Sequence, residues 1–332
     1  MPLIFGLFLL LGLVLAANWF FQQGNRAINR LFEWLLFAAN LPVLLLGFVL
    51  LAAPAELYSQ LMQNGFPFLL DWTAAGWLFV GMGLWATAVS LRPIRALATR
   101  FMPLNVDSPV HTLALIFSGY LAGNTIFSLT QGGLEEMVET AVSASILDIL
   151  FIQGLFATMA ILGVGLYVRR SPQAARQRLG LVRPTARQLW AGVGWIIILV
   201  ILQFIGGALW TLTDSSQAEL VESLNEELLG EIDTFAEWLI LAAATGFGEE
   251  LLFRGALQPI LGLGFTSFLF ALAHVQYGIT PVTLIIFIIG IVLGLIRRRY
   301  NTSVAIFVHA GYNFVLGMLA LIALHYGDLL GG

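Results

Sequence analysis

Near the end of the chain, Glu249, Glu250, Arg254, His274, His309 and Asn313 lie inside apolar segments. A charged group at the centre of a membrane helix costs about 2.5–3.5 kcal/mol on insertion scales, which makes such residues functional candidates by default. Their types suit acid–base chemistry, an ion or proton path, or metal binding. Their spacing sorts them. Glu250 and Arg254 are four apart with the acid first, so they can pair along one helix face. Glu249 is turned by about 100° from Glu250 and is left to face something else. His309 and Asn313 share a face at the same spacing, as do Phe270 and His274. Each residue also has a plain reading. A single intramembrane His can be a hydrogen-bonded packing residue, Asn313 can join two helices, and Phe270 and the Glu250–Arg254 pair can be structural.

These residues must be positioned by membrane helices. Of 332 residues, 59% are hydrophobic and 10% charged, against about 25% charged in a soluble domain. Mean hydropathy is +0.90. A span needs about 20 apolar residues to cross roughly 30 Å of hydrocarbon. The pattern predicts an all-α, polytopic bundle of about ten spans: 2–21, 32–53, 72–91, 109–129, 142–168, 189–212, 235–255, 264–278, 281–296 and 303–325. With these boundaries, Glu249, His274, His309 and Asn313 fall at a common depth, roughly 9–15 Å from one face at 1.5 Å per residue. The first apolar stretch has no basic segment before it and reads as an uncleaved anchor.

All fifteen basic residues are Arg. Apart from Arg254 they cluster at 26–30, 92–100, 169–187 and 297–299, alternating with acidic gaps. Positive loops inside predict a cell-membrane protein with both termini outside and a site open to the cytoplasmic side. The acidic segment 214–233 reads as an external amphipathic helix: Ser216 and Glu219 fit a capping box, and Leu220, Leu224 and Leu228 recur on one face. A surface helix on the outer leaflet is the plain reading of it; a lid or partner-binding element is the other. Gly290 and Gly294 have the spacing of close helix packing. The absence of Cys removes thiol proteases and thiolate metal sites. No Ser–His–Asp arrangement, nucleic-acid motif or internal repeat is visible.

Glu249-Glu250-Leu251-Leu252-Phe253-Arg254 reads EExxxR, Phe270 to His274 reads FxxxH, and His309 to Asn313 reads HxxxN. In this order, each inside an apolar span, the motifs resemble those of the CPBP intramembrane proteases, which include CAAX prenyl endopeptidases and bacteriocin-processing or immunity proteins. The resemblance covers about 235–325, so the chain divides into a variable membrane region, 1–234, and a protease-like domain in the last four spans. It implies an intramembrane (metallo)endopeptidase acting on a membrane-associated protein or peptide in the lipid bilayer. Glu249 would be the general base with help from His274. His309 and Asn313 would stabilise the oxyanion, and Glu250, Arg254 and Phe270 would support them. Glu249, His274 and His309 could also hold a divalent metal such as zinc with one position open, although no HExxH is present. A metal-bound and a metal-free, glutamate-activated water are both open. The rival readings are a non-enzymatic immunity or scaffold protein that retains the fold, and a transporter, against which the lack of an inverted repeat speaks.

Overall fold

In the computed structural model, residues 2–64, 71–130 and 133–330 are described; the C-terminal residue, expected outside, lies beyond them. The described residues are helical and include no β-strand. Among the described residues, seven helices are long and apolar enough to cross a membrane. The chain forms two compact units, Trp19–Gly133, and Met1–Asn18 with Leu134–Gly332. Helix α1 (Pro2–Gln22) runs through the boundary at Asn18.

The first unit contains α2 (Arg26–Ala52), α3 (Ala55–Gln63), α4 (Trp72–Ser90), α5 (Arg92–Ala98) and α6 (Pro109–Leu129). Helix α4 packs between α2 and α6. Where α2 begins, the guanidinium of Arg95 is buried. It donates to the carbonyls of Val89, Ser90 and Val106 and to the carboxylate of Glu33. Deeper along α2, Tyr120 donates to Asn40 at 2.6 Å. Polar groups so far from water persist because each has a partner.

The second unit adds α7 (Gly133–Glu139), α8 (Ile146–Gly163), α9 (Pro172–Leu179), α10 (Ala186–Thr213), α11 (Ser215–Leu229) and α12 (Phe235–Glu250). It ends with α13 (Gln258–Leu261), α14 (Leu263–Leu272), α15 (Pro281–Arg299) and α16 (Thr302–Leu330). Reciprocal capping boxes start three of its long helices, at Ser145 with Asp148, Thr185 with Gln188, and Thr234 with Glu237. Each satisfies two backbone donors at a helix start. Leu199, Leu293, Ile296, Val304 and Val308 form a core where α10, α15 and α16 meet. Helix α9 packs its Ala175 and Leu179 against α8 and the turn after α12, with Ala157, Ala160, Leu251 and Ala256. Gly180, at φ +74°, ends α9, and its carbonyl accepts the amide of Thr302.

Three sequence expectations change in detail. Segment 235–255 continues as helix to Leu261, but over Leu251–Leu257 it widens into a π-helix. Segment 264–278 is not one helix. Helix α14 has ten residues, then the chain makes a turn and a short 3-10 helix at Val275–Tyr277. Such irregular backbone at membrane depth is tolerated only where protein buries it or it lines a wet cavity. In the acidic segment, Asp214 rather than Ser216 caps α11, accepting from the Gln217 amide. The apolar face of α11 is not left to lipid. Val221 and Leu224 are buried with Trp210 and Leu134, against Tyr277 and Val282. Gly290 and Gly294 do allow close packing: a side chain at Gly294 would stand 2.3 Å from Leu263.

Candidate active site

The π-helical turn is where the acidic pair sits. A π-turn lengthens the hydrogen-bond register by one residue and leaves main-chain carbonyls short of partners. Arg178 of α9 takes two of them, with Nη1 donating to Gly255 at 2.9 Å and Nη2 to Ala256 at 3.4 Å. Burial and neighbouring arginines lower Arg178 to about 10, so it stays cationic near neutrality. Arg254 points inward instead. Its Nη1 lies 3.0 Å from Glu250 Oε1, and Nη2 donates to the Gly290 carbonyl on α15. Both members of the pair are fully buried, at 1% and 0% exposure. The face of Phe270 lies 4.2 Å below the Arg254 guanidinium, a cation–π contact. The same ring stands 4.9 Å from the His274 ring and 5.8 Å edge-on from that of His309.

Both histidines are anchored through Nδ1. His309 Nδ1 is 3.0 Å from Glu250 Oε1, and His274 Nδ1 is 2.8 Å from the Phe270 carbonyl. A carbonyl and an ionised carboxylate can only accept, so each Nδ1 carries hydrogen and each Nε2 is turned to the site. The two Nε2 atoms converge on one oxygen. Glu249 Oε2 lies 3.9 Å from His274 Nε2 and 4.0 Å from His309 Nε2. That oxygen is buried and accepts no hydrogen bond among the described residues. The other oxygen, Oε1, accepts from Gln153 Nε2 of α8 at 3.2 Å. Glu249 is therefore steered at one oxygen and open at the other.

Glycines let the three helices close on this point. A Cβ at Gly248 would stand 2.5 Å from Gln153 Oε1, and one at Gly246 would stand 2.8 Å from Ala310 of α16. Asn313 is tied to α12 as well. Its Nδ2 donates to Thr245 Oγ1 at 3.0 Å, one turn before Glu249. The structure thus brings together Glu249, Glu250, Arg254, Phe270, His274 and His309, with Asn313 held one turn along α16. Gln153, Thr245 and Arg178 add to the group without having been singled out in the sequence. The available signal for Gln153 and Thr245 was an uncharged polar residue inside an apolar span.

The chemistry of Glu249, His274 and His309 suits a divalent ion, because each His already donates through its other nitrogen. The separations do not. Ligands about 2.0–2.2 Å from a tetrahedral zinc stand roughly 3.3–3.6 Å apart, and no set of three in metal-holding geometry occurs among the described residues. As placed, the three donors bracket a space suited to a water between them, since polar atoms beyond 3.5 Å are commonly bridged in this way.

Residues 231–315 match the family model described as type II CAAX prenyl endopeptidase Rce1-like. The match contains all three motifs, supports membership of the CPBP family, and points to a protease in an integral membrane chain. No curated protein and no solved structure matches the chain.

Proposed function

We propose that this CPBP-family chain is an intramembrane endopeptidase that uses Glu249 to activate water against a peptide bond of a membrane-associated protein or peptide. The observation that carries the reading is the Glu249 Oε2 atom, buried, without a protein donor, and facing two imidazole nitrogens. Water held there gives a proton to Glu249 while its oxygen bonds to the carbonyl carbon. The carbonyl π electrons move to oxygen, and the resulting oxyanion is met by the second amide hydrogen of Asn313 and by His309. When the C–N bond breaks, the proton on Glu249 passes to the leaving nitrogen. A positioned base gives typically ~10²–10⁴-fold in rate, and one oxyanion donor on the order of 10²–10³.

Gln153 fixes the carboxylate plane so that Oε2 is the reactive oxygen. The second unit has an arginine-bearing end, where α9 meets the Arg297–Arg299 end of α15 and the start of α16. We place that end on the cytoplasmic side, following the positive-inside rule, with access to Glu249 from there. A prenyl group on the substrate is in keeping with the match to the type II CAAX prenyl endopeptidase family.

The test is cleavage by the purified full chain of a membrane-associated peptide, prenylated and unprenylated, compared with Glu249→Gln. The reading expects loss of at least ~10²-fold in kcat with the thermal transition unchanged. Undiminished cleavage by Glu249→Gln overturns it. A phenotype that survives replacement of Glu249, His274 and His309 together would instead favour the scaffold reading.

A further inference from the structure

The first unit holds a polar cavity of about 350 Å³ at the start of α2, lined by Arg26, Asn29, Arg30, Glu33, Arg92 and Asp107. Four of these residues come from one stripe of α2, at positions 26, 29, 30 and 33, which share a helix face. The two carboxylates of the cavity are already engaged. Glu33 pairs with buried Arg95, and Asp107 accepts from Arg92 at 3.0 Å. Arg26 and Arg30 have no carboxylate partner among the described residues, yet both line the same cavity. Beside them Asn29 is 8% exposed, and its Oδ1 accepts no hydrogen bond among the described residues.

The cavity therefore offers two unpaired guanidinium groups, a third beyond them in Arg92, and one buried acceptor in want of a donor. Guanidinium groups match phosphate oxygens by paired, charge-assisted hydrogen bonds. The positive end of the α2 dipole adds to the same field. The buried Arg95 guanidinium is paired with Glu33, so the charge of that carboxylate is offset and does not repel an anion. A bare anion would leave Asn29 Oδ1 unmatched. A phosphate ester with a neighbouring hydroxyl or ammonium would satisfy both features.

We propose that this cavity binds a phosphate ester, with the phosphate held by Arg26 and Arg30 and a donor of the ester on Asn29. The chemistry is shared by an anionic phospholipid headgroup and by a soluble phosphate ester. It is independent of the Glu249 site and of its proposed activity.

Binding of dioctanoyl phosphatidylglycerol to the purified full chain in detergent, followed by native mass spectrometry, tests the proposal. Arg26→Gln with Arg30→Gln should weaken binding by about tenfold or more, since hydrogen bonds to charged groups are each worth about that factor. Arg183→Gln with Arg187→Gln makes the same change of charge at residues that do not line the cavity and should leave binding within about twofold of the parent, because a loss there would report only general electrostatics. Asn29→Leu, which leaves the charge untouched, should weaken binding as well. Glycerol phosphate as competitor separates the sources. Full competition shows that a soluble ester suffices; none shows that the acyl chains are needed, as for a lipid. Equal binding by the Arg26/Arg30 variant, or an equal loss in the Arg183/Arg187 variant, overturns the proposal.

Discussion

Gln153 and Glu249 meet at 3.2 Å across 96 residues of sequence, the amide of one helix holding a carboxylate oxygen of another. The contact decides which oxygen of Glu249 faces the two imidazoles. It also joins the segment matched by the protease family to a helix that precedes that segment.

Replacing Gln153 by Leu frees the carboxylate to rotate. Supporting residues around reactive groups typically account for ~10–100-fold in activity, so kcat should fall by that factor with KM little changed. Thermal stability should fall only by about 1 kcal/mol, the net worth of one hydrogen bond. Gln153→Glu should be worse than Leu, because a second acid there would oppose Glu249. Steady-state kinetics beside a thermal melt checks both; a loss confined to the melt would make Gln153 a packing residue.

Arg254 and Glu250 form a fully buried pair. Removing one partner leaves a buried charge and typically costs about 3–5 kcal/mol. Arg254→Met and Glu250→Gln should each lower the unfolding midpoint sharply, and the double variant should lose less than the two together. Glu250→Gln should in addition depress activity, because it removes the carboxylate that holds His309 Nδ1. A thermodynamic cycle on the four proteins reads the coupling.

The 3.9 and 4.0 Å separations around Glu249 Oε2 favour a water over an ion. Activity should survive exhaustive dialysis against a chelator, and metal analysis of the active protein should find less than one equivalent. Loss on chelation, restored by added zinc, would mean that the three side chains close in around a metal.

The Arg92–Asp107 pair gives an acid-side prediction for the first unit. The hydrogen bond from Arg92 holds the Asp107 carboxyl below its ordinary value. Its stabilising effect is therefore fully present above the ordinary carboxylate range and is lost as pH falls through the lowered folded-state value. Both side chains are substantially exposed, so the effect is small and salt-sensitive. Asp107→Asn should lower the melting point slightly at pH 7, less so in high salt, and not at all at the acid extreme.

Much of this site is legible in the sequence because lipid makes polar residues conspicuous. Glu249, His274, His309 and Asn313 stand out by cost alone, and the four-residue spacing of Glu250 and Arg254 foretells their pairing. What spacing along one helix cannot show is contact between helices. The Glu250–His309 bond, the tie from Asn313 to Thr245, and the reach of Gln153 all depend on how α8, α12 and α16 close. The π-turn is hidden for another reason: Leu251–Leu257 has the composition of an ordinary helix. The break after α14 was equally hidden, since segment 264–278 is apolar almost throughout. Hydropathy measures whether a segment suits lipid, not whether it is a straight rod.

Under the proposed cleavage, that short helix would set a length for the substrate. Ten residues of α14 rise about 15 Å, half of a hydrocarbon layer about 30 Å thick. An extended polypeptide advances about 3.3–3.6 Å per residue. A chain entering from the arginine-bearing end would bring its fourth or fifth residue past the membrane surface to the level of His274. Shortening that reach by two residues should move the scissile bond out of register, while lengthening it leaves slack that the bilayer can absorb. The helix would then act as a ruler as well as a wall.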